Sequence, residues 1–337
     1  MRWKSPLLLV AVVTLAVGSW LFAVRPWEHG VELLNVSYDP TRELWQELNE
    51  LFIAKYKRET GQDLTINQSH GGSGAQARAV IDGLEADVVT LALGSDTDAL
   101  RRHGLLADDW QKRLPNHSLP YYSTIVFVVR KGNPERIRDW PDLVRPGIGV
   151  ITPNPKTSGN GKLSFLAAWG SVIRRGGSED DARAFVTKLY RNVPKLDTGA
   201  RGSTITFARQ KLGDVHLTWE NEAHLEVAEA KGELEIVYPP ISIRAEPFVA
   251  VVDANVNRKG TREIAEAYLR FVYTEEAQEV LARHYYRPIS ETVFEKYARR
   301  FPKLDLFRIN VIARDWNEAQ ERFFAEGGVF DQIQKNR

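Results

Sequence analysis

Four short stretches of the chain set small, hydrogen-donating residues where a helix begins. In "SHGGSG" (69–74), three glycines surround Ser73 between a strand-like "LTIN" and a helix-like "AQARAVIDGLEA". "SYDPTREL" puts Asp39 ahead of Pro40, "TPNPKTSGNGKLSF" puts Ser158, Gly159, Asn160 and Gly161 ahead of a helix, and "DTGARGSTITF" does the same with Gly199, Ala200, Arg201 and Gly202. Proline suits the first helical turn, and an aspartate before it suits the N-cap. Glycine lets backbone N–H groups converge on an anion, and each helix N-terminus carries roughly half a positive charge. Any one of these loops is ordinary turn chemistry. Four of them, each following a strand, point to one ligand site, because open α/β sheets bind at the C-terminal ends of their strands.

The elements that carry these loops alternate in type. "ELLNVSY", "DLTINQS" and "ADVVTLAL" read as strands; between the first two, Leu44, Leu48, Leu51, Phe52 and Tyr56 share one helical face that stops at Gly61. Further strand and helix patterns follow to about residue 254, and the end is mostly helical. This alternation predicts an α/β protein with parallel sheets covered by helices. Two β-branched or aromatic strands, 123–130 and 247–253, bracket about 120 residues, and they read as two crossings between lobes, forming a hinge. The predicted organisation is a first lobe of 31–120 plus 247–300, a second lobe of 121–246, and a helical segment, 301–337, packing on both.

At 337 residues with 43% hydrophobic and 26% charged, the chain is long for one compact domain. Its net charge is +1; the first 25 residues supply three cations (Arg2, Lys4, Arg25) and no acid, leaving −2 for the rest. No basic face is implied, which disfavours nucleic acid as a partner. There is no cysteine, hence no disulfide framework or thiolate metal site. The seven histidines show no H-x-H or H-x-x-x-H spacing, which disfavours a metal. "MRWK" followed by an uncharged apolar run, Pro6 to Val24, reads as an export signal within residues 1–25. The run also has the length of a membrane span and no clean cleavage site beyond "AVG", so it is expected to be either cleaved or kept as an anchor. Both put the globular part outside the cytoplasmic membrane.

"NVSYDPTREL", "QSHGGSGAQA", "EADVVTLAL", "STIVFVVRKGNP", "ITPNPKTSGNG", "DTGARGST", "TWENEA", "YRP" and "GGVFDQI" together resemble the periplasmic sulfate-binding proteins of the sulfate/thiosulfate ABC transporter, from about Glu32 to Gln334. The resemblance implies a two-lobed type II periplasmic-binding-protein fold that closes on one sulfate, a monomer that hands it to a membrane permease, no cofactor and no metal. It implies contacts from the backbone N–H of Asp39, the N–H and hydroxyl of Ser73, the hydroxyl of Ser158, the N–H groups of Gly159, Asn160 and Ala200, and the indole N–H of Trp219. Arg201 is implied to stand behind this shell. Asn160 departs from the family, where glycine is expected.

Such a shell consists of donors only, and sulfate at neutral pH has acceptors only. Phosphate near pH 7 keeps a proton that would face another N–H, an unpaired arrangement costing roughly 1–3 kcal/mol. That selectivity requires that no carboxylate point inward; the Asp39 side chain is assigned to capping, and only its N–H to the ligand. Thiosulfate is not separable from sulfate by this argument; another tetrahedral oxyanion, or a membrane-tethered oxyanion sensor, is the alternative. A hydrolase built on Ser73 and His70 is disfavoured, since "GGSGA" ends in alanine and lies before, not on, a nucleophile elbow. Glu220 and Glu222 read as acids favouring the start of the following helix.

Overall fold

A computed structural model describes residues 30–335. The predicted export segment lies outside them. The first three strands, β1 (Val31–Tyr38), β2 (Leu64–Gly71) and β3 (Val88–Leu91), are mutually parallel in the order β2–β1–β3. Helices α1 (Arg42–Thr60), α2 (Ser73–Ile81) and α3 (Gly94–Arg102) follow them in turn. α1 buries Leu44, Trp45, Leu48 and Phe52 and ends on Gly61 at φ 73°, the left-handed conformation that glycine adopts without strain.

The chain then enters a second sheet through β4 (Tyr121–Arg130). It continues with β5 (Val150–Pro153), α4 (Gly159–Arg174), α5 (Glu179–Arg191), β6 (Leu196–Asp197), α6 (Ala200–Thr204), β7 (Val215–Trp219), α7 (Glu220–Glu229), β8 (Leu234–Val237) and β9 (Ile241–Ala245). It returns to the first sheet as β10 (Phe248–Val251), which pairs with β3. Two sheets joined by two passages make a two-lobed α/β fold.

The sheets are not uniformly parallel. β10 runs antiparallel to β3, and β4 runs antiparallel to β7, β8 and β9. The reason is topological: a strand arriving from the other lobe has no crossover helix to reverse its path, and antiparallel pairing is then open to it. Ser123 and Thr124 of β4 pair with Ala245 and Arg244 of β9, so the two passages run side by side.

The last segment is not wholly helical. Asp305–Phe307 forms β11, parallel to β9. Beyond it, Phe323, Phe324 and Phe330 pack edge-on against Phe165 of α4 at 5.4–6.1 Å between ring centres. Trp316 reaches the first lobe, where a Cβ on Gly94 of α3 would lie 3.0 Å from its ring. This segment therefore leans on both lobes.

Candidate functional site

A small cavity lies where the two lobes meet. Tyr38, Asp39, Pro40, Gly71, Gly72 and Ser73 line it from the first lobe, and Ser158, Gly159, Asn160, Ala200 and Trp219 from the second. Its free space, open mouth included, is about 190 Å³. Pockets for organic ligands run to roughly 300–1,000 Å³, so this one suits a small ion. Every residue named from the sequence as a direct contact lies on its wall, and no lysine or arginine does.

The wall is built from helix beginnings. α2 opens at Ser73, α4 at Gly159 and α6 at Ala200. Their first-turn N–H groups have no carbonyl partner inside the helix. Asp39 opens a single tight turn, Asp39–Thr41, with Pro40 in its first positions. The glycine-rich loop is shorter than the sequence suggests. β2 runs through Gly71 and α2 starts at Ser73, leaving only Gly72 between them.

Two glycines are required by distance, not by backbone angle. A Cβ on Gly159 would stand 2.6 Å from the Ala92 Cβ and 3.3 Å from the Ser73 Cβ. A Cβ on Gly72 would stand 2.5 Å from the carbonyl oxygen of Thr157. Each contact runs from one lobe to the other, so the cleft is shut.

Ser158 is the N-cap of α4. Its oxygen accepts from the Gly161 N–H at 3.4 Å, which leaves its own proton to donate. Asn160 turns its side chain away from the cavity. Its amide donates to the Leu217 carbonyl at 3.2 Å, and its oxygen accepts from Ser164 at 3.4 Å. A residue larger than glycine is accommodated here because its amide ties α4 to β7.

Two expectations are corrected. The Ser73 hydroxyl does not serve the cavity: it donates to Asp96 Oδ2 at 2.6 Å and accepts from the Ala92 N–H at 3.0 Å. A hydroxyl has one proton, so only the backbone N–H of Ser73 remains for a ligand. Nor does Asp39 cap its turn. Tyr38 holds the cap position without a side-chain bond, because Asp39 is already inside the turn. The Asp39 carboxylate sits 3.6 Å from Arg42, and a Cβ on Gly199 would lie 3.1 Å from it. Burial raises its pKa against the pull of Arg42 and Arg201.

Trp219 is wholly buried, and its indole N–H has no hydrogen-bond partner among the described residues. Its ring packs on Tyr38 at 5.1 Å. Tyr38 escaped the sequence reading, although it precedes Asp39 directly. A buried donor left unpaired costs about 1–3 kcal/mol, which a bound acceptor removes.

Apart from Asp39, full charges ring the cavity without lining it. Arg201 donates to both oxygens of Glu43 at 2.8 and 2.7 Å across the cleft, and lies 3.3 Å from Glu222 in its own lobe. Burial pushes the Glu222 carboxyl up to about 8, against the pull of Arg201. Lys162 of α4 reaches Asp96 of α3 at 3.0 Å, again between lobes, with both side chains buried. None of these partners was legible in the sequence. Glu220 and Glu222 stand in the first turn of α7, with Trp219 at the cap position and no side-chain cap bond, and Glu220 is held by Arg287 at 2.7 and 2.8 Å. His70 lies on β2, bonded to Ser37 and Gln68 at 2.8 and 2.6 Å and not to Ser73.

Residues 41–287 match the model of a family described as bacterial extracellular solute-binding protein. The chain belongs to this family. A "Sulfate-binding protein" of Escherichia coli (strain K12) is 54% identical over 308 residues, 90% of this chain and 93% of the relative. A "Thiosulfate-binding protein" of Pseudomonas aeruginosa is 49% identical over 321 residues, 95% of each. Among solved structures, the sulfate-binding protein SubI of Mycobacterium tuberculosis H37Rv superposes with a TM-score of 0.79 at 31% identity, covering 87% of this chain and 99% of that one. Family membership and the two-lobed fold are thus in agreement.

Proposed function

We propose that this solute-binding protein captures sulfate, and thiosulfate in the same cavity, and delivers it to the membrane permease of an ABC transporter. The observation that carries the reading is the Trp219 indole N–H, buried and unpaired on the wall of a small cavity formed by helix beginnings. The proposed shell is the N–H groups of Asp39, Ser73, Gly159, Asn160 and Ala200, the Ser158 hydroxyl and the Trp219 indole. Hydrogen bonds to a charged group contribute about 1.5–3 kcal/mol each. A shell of this size outweighs the cost of association and leaves room for micromolar affinity, about −8 kcal/mol. Arg201 acts from behind, holding the rim through Glu43 and Glu222.

On this reading the lobes are 31–120 with 247–300, and 121–246. The protein works as a monomer in the periplasm, its N-terminal segment either removed or kept as an anchor. Thiosulfate is included because a relative bearing that name is 49% identical over most of its length.

Isothermal titration with sulfate, thiosulfate, molybdate and phosphate at pH 7 tests the proposal. Sulfate and thiosulfate are expected to bind at micromolar levels or tighter and phosphate at least tenfold more weakly. Tighter binding of phosphate rejects the donor-only shell.

A further inference from the structure

Steric stops and hydrogen bonds together set the width of the closed cavity. Gly72 against the Thr157 carbonyl and Gly159 against Ala92 are the stops, and they limit how narrow it becomes. A hydrogen-bonded clasp behind Pro40 and Trp219 limits how wide. Asn221 of α7, two residues beyond Trp219, donates its amide to the Pro40 carbonyl at 3.2 Å and to the Tyr286 hydroxyl at 2.9 Å. Tyr286 donates its own proton to the same carbonyl at 2.5 Å. Pro40 and Tyr286 belong to the first lobe, Tyr286 as part of its core, and Asn221 belongs to the second. The clasp therefore crosses the cleft.

Its protons are all accounted for. An amide nitrogen carries two hydrogens, and Asn221 spends one on each partner. Tyr286 faces one donor and one acceptor here, so its proton goes to Pro40, whose carbonyl has two lone pairs for two donors. Turned over, the Asn221 amide would set its oxygen against that carbonyl, so its orientation is fixed. Asn221 is 7% exposed and Tyr286 1%, which shields the clasp from water.

Arg201 with Glu43 and Lys162 with Asp96 also cross the cleft, but through long side chains whose many torsions let them follow a small shift. Asn221 and Tyr286 have few torsions, and the acceptor they share is main chain. Tyr286 packs edge-on against Tyr121 at 4.8 Å, the Tyr121 and Tyr38 hydroxyls lie 3.3 Å apart, and Tyr38 packs on Trp219. Glu220 and Arg287, next in sequence to Asn221 and Tyr286, are joined by two hydrogen bonds along the same seam.

We propose that Asn221 and Tyr286 are positioning residues that determine specificity by size. Their clasp on the Pro40 carbonyl fixes the spacing between the Asp39 N–H and the Trp219 indole, one donor from each lobe. It thereby sets the largest tetrahedral dianion that the closed cavity accepts. The inference rests on the sulfate reading for the choice of these two donors.

Selenate tests it. Like sulfate it is a tetrahedral dianion with no proton at pH 7, but its bonds are longer, so the pair differs in size and not in protonation. Calorimetry of the full-length protein with both anions gives a preference ratio for each variant. The wild type is expected to favour sulfate, and equal affinities overturn the proposal. Asn221→Leu keeps a similar volume and removes both N–H donors. It is expected to weaken sulfate binding about 10-fold and selenate binding less, shrinking the preference at least ~2-fold. Tyr286→Phe is expected to shift the ratio in the same direction by a smaller factor. Glu43→Gln is expected to weaken both anions alike. An unchanged ratio in Asn221→Leu and Tyr286→Phe overturns the proposal, and so does an equal shift in Glu43→Gln. If circular dichroism shows that Asn221→Leu does not fold, Tyr286→Phe, which loses a single oxygen, decides alone. Failure of the wild type to bind sulfate rejects the proposed function, whereas a sulfate-binding wild type with an unmoved ratio in the variants rejects only the clasp.

Discussion

The cavity wall and its rim treat charge in opposite ways. The wall has Trp219 and the openings of α2, α4 and α6, with no lysine or arginine among the residues that line it. The rim, a few residues away, is dense with paired side chains: Arg201 with Glu43 and beside the buried Glu222 carboxyl, and Lys162 with Asp96. A cation inside the cavity would have to lose its own hydration before meeting an anion, and that desolvation penalty offsets much of the attraction. Backbone N–H groups at helix ends are already unpaired, so an anion gains them without that cost. Charged side chains act instead across the lobes, where they favour closure.

Four substitutions separate the roles of wall and rim, from the largest expected effect to the smallest. Gly159→Ala puts a methyl where Ala92 already stands, 2.6 Å away. Closure is blocked, and sulfate affinity in calorimetry should fall more than ~100-fold, a loss of about 3 kcal/mol, with the circular dichroism spectrum intact. Tight binding by this variant breaks the idea that the closed wall is the site. Trp219→Phe keeps the ring and removes the N–H. One charge-assisted hydrogen bond is lost, so affinity should fall about 10–100-fold; an unchanged Kd removes Trp219 from the shell.

Glu43→Gln weakens the rim only. The Arg201 and Glu43 side chains are 31% and 41% exposed, and such pairs contribute ~0.2–1 kcal/mol. Stopped-flow fluorescence should show faster sulfate release and an affinity loss of no more than ~5-fold. A loss as large as that of Trp219→Phe would erase the distinction between rim and wall.

Glu222→Gln probes burial at the rim through pH. With its folded pKa raised to about 8, Glu222 holds its proton more tightly when folded than when unfolded. Its contribution to stability is therefore complete at low pH and lost as pH rises from about 4.5 towards 8. The melting temperature of the wild type should decline more steeply than that of the variant across this window. Parallel melting curves would mean that Arg201 keeps Glu222 ionised.

The parts of this arrangement readable from the chain are those encoded locally. The cap Ser158 and the glycines 72, 159 and 199 mark where α2, α4 and α6 begin, and Ser73, Gly159, Asn160 and Ala200, at those openings, line the cavity. Long-range pairing was not readable. Asp96 is 23 residues from Ser73, and nothing in the sequence indicates that it takes the serine's proton. The same holds for Glu43 with Arg201, 158 residues apart, and for the direction of β4 and β10, which depends on where the chain crosses between lobes. Asn160 looked like a misfit only because its partner, Leu217, lies 57 residues away on β7.

The bare approach of Gly72 to Thr157 carries one more consequence. Because the donors are divided between two halves that meet without a single Cβ to spare, neither half holds the ion on its own. Affinity is then a property of the hinge as much as of the shell. Prising the halves apart takes away several donors in one movement, and water reclaims the ion without any competing ligand.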